Sequence, residues 1–142
     1  MAIQLNKQAT EIYAAFNAHD INQYLFLHTD DVAFEQVIAD GIKGQGKEEL
    51  REFVKSFFDA FPDFRCEVTA LIAGEDLQCE EMLMTGTHKG DYLGLAPTGK
   101  SFSWRGVLLR ELREGKTCRF SIYCDPAILM RQLGFLPTFP QK

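Results

Sequence analysis

Between Met82 and Gly106 the chain reads MLMTGTHKGDYLGLAPTGKSFSWRG, and this stretch constrains the fold more than any other. Thr85-Gly86-Thr87-His88 closes one long strand. Gly90, Gly94, Pro97 and Gly99 break the connection, because glycine permits positive φ and proline removes a ladder donor. After it, Phe102, Trp104, Gly106, Leu108 and Arg110 alternate with Ser103, Arg105, Val107, Leu109 and Glu111. A period of two places the large apolar set on one face of a sheet. A loop this long between neighbouring strands is expected to cap something, and the mouth of a pocket is the natural candidate.

The rest of the chain supplies what that sheet packs on. Leu5, Ala9, Ile12, Tyr13 and Phe16 follow helical spacing and predict a first helix ending near Asn17-Ala18. Asp20, with Gln23 three residues on, predicts a capping box and a short second helix carrying Tyr24, Leu25 and His28. Val32 to Ile38 reads as a strand, left by a turn at Asp40-Gly41 and the glycines at 44 and 46. Lys47 to Phe61 is the clearest helix, with Leu50, Phe53, Val54, Phe57, Phe58 and Phe61 on one face. Pro62 ends it. Strands follow at Arg65–Ala73, Leu77–His88, Ser101–Leu112 and Lys116–Cys124. Asp125-Pro126 opens a last short helix that Gly134 stops, and residues 136–142 read as an extended tail. Early helices and late antiparallel strands predict one α+β domain over residues 1–142. Its curved, mostly antiparallel sheet would wrap the helices as a cone with an internal pocket.

Composition narrows the function. A net charge of −5, with basic residues scattered, argues against nucleic acid as a partner. No apolar run is long enough to span a bilayer, and the first residues lack the apolar core of a signal peptide. Cys66, Cys79, Cys118 and Cys124 form no C-x-x-C pair, and the three histidines have no ligand spacing, so neither metal nor disulfide is expected. The expected compartment is the cytoplasm.

Several segments, in order, resemble the SnoaL-like polyketide cyclases of the nuclear-transport-factor-like α+β cone superfamily. They are Ala15-Phe16-Asn17 with Asp20, His28 to Val32, Phe61-Pro62-Asp63, Thr85 to His88, Leu93-Gly94, Pro97-Thr98-Gly99, Gly115-Lys116 and Arg131 to Gly134. The resemblance implies a homodimer packed sheet to sheet, with a ligand pocket in each cone and no cofactor. It also implies ring closure by an intramolecular aldol step, using an aspartate on the last strand and a histidine on the one before. Matching through Gly115-Lys116 and Arg131 to Gly134 puts the aspartate position on Ile122 and the histidine position on Leu108. Neither side chain moves a proton.

Candidate proton carriers are therefore His88, at the end of its strand beside the loop, and Glu35, after Phe34 on the first strand. The alternatives are a loop histidine and a solvated strand carboxylate. On the last strand, alternation groups Cys118, Phe120, Ile122 and Cys124 on the inner face. Parity through His88 adds Gly86, Met84, Met82 and Glu80. The candidate ligand contacts from the sheet are Phe34, Met82, Met84, Trp104, Leu108, Phe120 and Ile122. From the helices they are Phe16, Tyr24 and Phe57, with Tyr24 and His28 one turn apart. Such a lining suits a small hydrophobic molecule. Three functions remain open on these residues, of which the first two are a cofactor-free cyclase, isomerase or dehydratase acting on a carbonyl compound and a non-catalytic carrier of an apolar metabolite. A third is a module whose dimer surface or loop binds protein.

Overall fold

Asn6 and Asp20 begin the first two helices by the same device, a side-chain oxygen accepting a backbone N–H. Asn6 accepts from Ala9 and heads α1, Lys7–Asn17. Asp20 accepts from Gln23 and heads α2, Ile21–Phe26. Only that half of the expected capping box forms, since the Asp20 N–H goes back to the Ala15 carbonyl. The computed structural model describes residues 3–38 and 41–137. Its remaining elements are β1 (His28–Val37), β2 (Ile42–Gln45), α3 (Lys47–Ala60), β3 (Arg65–Ala73), β4 (Leu77–Thr87), β5 (Ser101–Arg113), β6 (Lys116–Cys124) and α4 (Pro126–Gln132).

The strands form one open sheet in the order β2-β1-β6-β5-β4-β3. All neighbours are antiparallel except β1 and β6, which run parallel. The hairpin from β5 to β6 turns at Glu114-Gly115, both at positive φ (52° and 79°), as a two-residue turn matched to strand twist requires. Phe34, Met82, Met84, Phe102, Trp104, Leu108 and Phe120 turn their side chains to the helical side. There they meet Ile12 and Tyr13 of α1, Tyr24 and Leu25 of α2, and Leu50, Val54 and Phe57 of α3. The amphipathic stripe of α3 and the period-two strands thus close on one core.

Three expectations are corrected. His28 opens β1 rather than continuing α2, and its ring Nδ1 hydrogen-bonds the Tyr24 carbonyl at 2.7 Å. Residues 42–45 are a strand, not a turn cluster. Their alternation is polar and short, and it is the pairing with β1 that makes them a strand. Gly44 is needed there because a Cβ would collide with the Phe34 ring. On β6 the register shifts at Cys118, so Thr117 turns inward and Cys118 leaves the inner face. The expected turn residue Asp40, and residues 138–142 of the expected tail, lie outside the described residues.

Candidate functional site

The inner face of the cone surrounds a narrow cavity of about 50 Å³. Phe16, Tyr24 and Phe57 line it from the helices, and Met82, Met84, Trp104, Leu108, Phe120 and Ile122 from the sheet. Phe34 does not reach it; its ring stacks on Phe120 at 5.7 Å and faces Phe53 at 5.1 Å. Leu108 and Ile122 are directly paired across β5 and β6. Trp104 is held in place by its indole N–H, which donates to the Asp125 carbonyl at 2.8 Å. Asp125 itself caps α4 through the Ala127 N–H.

One stretch of the lining is polar. Arg110 is buried, with Nε and Nη2 each 2.9 Å from a Glu80 carboxylate oxygen and Nη1 2.9 Å from Thr117 Oγ1. Gln78 donates a further bond to Glu80. Burial alone would lift the Glu80 carboxyl, but the Arg110 charge and these donors outweigh it and hold Glu80 ionised, below the usual carboxylate range. Tyr13 lies beside the pair. Burial, then the Glu80 charge, push its phenol upward, and its hydroxyl makes no hydrogen bond of normal length. Gln36 is 1% exposed, donates to Cys124 Sγ at 3.4 Å, and leaves Oε1 without a partner. Both Gln36 and Arg110 line the cavity. Nearby, burial and then the Arg110 charge push the His28 imidazole down to about 3, so it stays neutral.

The two expected proton carriers lie elsewhere. His88 is fully buried beside Phe61, away from the cavity lining. Its Nδ1 accepts the Thr98 backbone N–H at 3.2 Å, and its own N–H and carbonyl pair with Lys100 and Gly99. It pins the base of the 89–100 loop. Alternation does continue through His88 and buries its side chain, but at this end of β4 that face packs on Phe61 rather than on the cavity. Glu35 points to the outer face, 3.3 Å from Ser121 Oγ and 4.0 Å from Lys43 Nζ. Its inward neighbours on β1 are Phe34 and Gln36, a reversal legible from Phe34 by alternation alone.

Outside the cavity, Phe34, Ile42, Phe53, Phe57, Tyr92 and Leu93 line an open groove of about 490 Å³ with Glu48, Glu49 and Glu52 on its rim. Tyr92 and Leu93 are the part of the long loop that reaches it. The loop is clamped to the end of α3 by Lys89 and Gly90, whose N–H groups both donate to the Ala60 carbonyl. A Cβ on Gly90 would strike the Asp59 carbonyl. Phe53 and Phe57 border both spaces and form the wall between groove and cavity.

The family model of SnoaL-like polyketide cyclases matches residues 7–133. The chain belongs to this family. Among solved structures similar to this SnoaL-like chain is AclR of Streptomyces galilaeus, a candidate hydroxylase. It is 25% identical, with 94% of this chain and 83% of that one covered and a TM-score of 0.81. A candidate polyketide cyclase from Xanthomonas campestris pv. campestris is 20% identical over 89% and 94% of the two chains, with a TM-score of 0.77. A Catenulispora acidiphila protein with a ketosteroid isomerase-like fold, solved with trimethylamine, is 18% identical over 96% and 100%, with a TM-score of 0.80. A comparison with curated proteins returned no match. Within this SnoaL-like cone, no helix of the described residues is long and apolar enough to cross a membrane.

Proposed function

We propose that this SnoaL-like protein binds a small, largely apolar, ring-sized molecule inside the cone and releases it unchanged. The observation that carries this reading is the facing pair Leu108 and Ile122, which puts two aliphatic side chains on the cavity wall at the positions matched to the family's histidine and aspartate. With His88 and Glu35 directed elsewhere, the lining, apolar apart from Arg110 and its few polar neighbours, offers a ligand shape and hydrogen bonds rather than a titrating base. The space is smaller than a benzene ring, so a ring-sized ligand requires Phe53 and Phe57, the wall shared with the groove, to swing toward it. Four unpaired cysteines fit a reducing compartment, the cytoplasm. The half-exposed Leu109 and Tyr123 on the outer sheet face fit a homodimer through the sheet.

A second reading is favoured by Arg110. A cation in the cavity wall stabilises negative charge developing on a carbonyl oxygen, which serves a cofactor-free isomerase, dehydratase or cyclase. The named neighbours carry more than one chemistry, so the fold accommodates either reading. Native mass spectrometry of freshly purified protein tests the first reading: a co-purified neutral compound is expected, and Met84→Trp, which fills the cavity, should shed it. Protein that carries no adduct and gains none when offered small aromatic compounds would sink it.

A further inference from the structure

The groove outside the cone runs along one stripe of α3, with a polar end, an aromatic floor and a second polar end. Glu49 and Glu52 edge it in the first two turns of the helix, Phe53 and Phe57 follow, and Tyr92 of the long loop stands beside Phe57. The rings of Phe34, Phe53, Phe57 and Tyr92 form an unbroken chain, with successive centroids 5.1, 5.2 and 6.0 Å apart. At about 1.5 Å of rise per residue, Glu49 and Phe57 stand roughly 12 Å apart along the helix.

Neither polar end is used up by the protein. Tyr92 is 5% exposed, yet its hydroxyl has no hydrogen bond among the described residues, and burial pushes its phenol upward so that the O–H is kept. A buried hydroxyl without a partner is costly, so a ligand atom that reaches it is rewarded. At the other end Glu52 is in no ion pair among the described residues, and Glu48 is no nearer than 4.0 Å to Arg51 Nε. Lys43, which also lines the groove, leans toward Glu35 at 4.0 Å. The helix N-terminus adds about half a positive charge. The three carboxylates outweigh it together with Lys43, so this end is net negative.

We propose that the groove is a second binding site, for a small amphiphilic amine. The ammonium lies between Glu49 and Glu52, the apolar body crosses Phe53 and Phe57, and a polar atom at the far end bonds the Tyr92 hydroxyl. Aromatic faces attract a cation as well as burying apolar carbon. A volume of about 490 Å³ is that of a small-molecule site, which favours a free amine over a lysine carried by a protein. The site is separate from the cone cavity, with Phe53 and Phe57 as the wall between them.

The test uses the full chain and four probes built on one phenylbutyl body: 4-phenylbutylamine, 4-(4-hydroxyphenyl)butylamine, 4-phenylbutan-1-ol and 4-phenylbutyrate. Backbone cross-peaks of Tyr92 and Leu93 in a ¹H–¹⁵N spectrum report the groove, and the indole N–H of Trp104, the one tryptophan in the sequence, reports the cone. At low salt 4-phenylbutylamine is expected to bind about fivefold more tightly than the alcohol, the effect of one ion pair at an exposed rim, and the butyrate more weakly than either. That margin should shrink as salt is added and fall below about twofold in Glu49→Gln with Glu52→Gln. The hydroxyphenyl amine should bind about fivefold more tightly again, a gain lost in Tyr92→Phe. Should a variant fail to fold, the four probes on the parent chain decide alone. The alcohol binding as tightly as the amine would overturn the proposal, as would a margin unchanged in the double variant or a hydroxyl gain that survives Tyr92→Phe. So would shifts at Trp104 with none at Tyr92 and Leu93, or no shift at all.

Discussion

Leu108 and Ile122 face each other across the β5–β6 ladder, both turned into the cone beside Trp104 and Phe120. The family resemblance matches these two points to a histidine and an aspartate, and this chain carries aliphatic side chains at both. The consequence can be tested at one position. Ile122→Asp would place a carboxyl against the apolar wall, where burial raises its pKa. Because the folded value then exceeds the unfolded one, the variant should be about 2–4 kcal/mol less stable than the parent at pH 7 and recover most of that by pH 4. Urea melts at the two pH values measure it. Parent-like stability at both would mean that residue 122 faces water.

His28 gives the fold a dependence on acid. Its imidazole is held at about 3 by burial and then by Arg110, against an ordinary value of 6.5. A base with a lowered folded pKa contributes stability that is complete above the unfolded value and lost as pH falls toward the folded one. Between pH 7.5 and 5 the loss should be about 2 kcal/mol. In His28→Phe that slope should largely disappear; an unchanged slope would assign the acid sensitivity to other groups.

Glu80 and Arg110 should behave as a unit. Arg110→Met leaves a buried carboxylate alone and is expected to cost about 3–5 kcal/mol. Glu80→Met with Arg110→Met removes both charges and should cost less than Arg110→Met by itself. Thermal melts of the two variants decide it, and a double variant less stable than Arg110→Met would contradict the coupling.

Much of this was legible in the chain. The spacing of apolar residues in α3 and the alternation through β4, β5 and β6 place Met82, Met84, Trp104, Leu108 and Ile122 on one face without coordinates. What escaped was local. The register shift at Cys118 reverses parity in mid-strand, and β2 has no apolar period of its own because β1 supplies its ladder. His88 keeps the inward parity of its strand, but alternation does not say how far along the strand the cavity extends, and the lining stops at Met82 and Met84. Glu35 attracted notice as a carboxylate, whereas the same alternation pointed to Gln36. Arg110 was on the inward set from the start, yet its value depends on Glu80, a partner thirty residues away whose bond only the fold reveals.

The outer sheet face carries its own expectation. Leu109 and Tyr123 stand exposed there beside Val107, a mixture of apolar and polar groups suited to an isologous contact. Sedimentation at micromolar concentration should show twice the 16.1 kDa chain mass, and Tyr123→Lys with Leu109→Lys should return it to one. A parent protein that sediments as one chain would remove the dimer.

Binding without proton transfer is the central claim, and deuterium exchange tests it most directly. 4-Hydroxyacetophenone carries acidic methyl protons beside its carbonyl, and in D₂O any base acting on them in the cavity replaces them with deuterium. One proton NMR time course follows both line broadening, which reports binding, and the methyl integral, which reports exchange. The expected result is saturable broadening with a methyl integral that decays no faster than in buffer alone. Faster loss of the methyl signal, abolished by Arg110→Met, would show that this cone still moves protons and would restore the enzymatic reading.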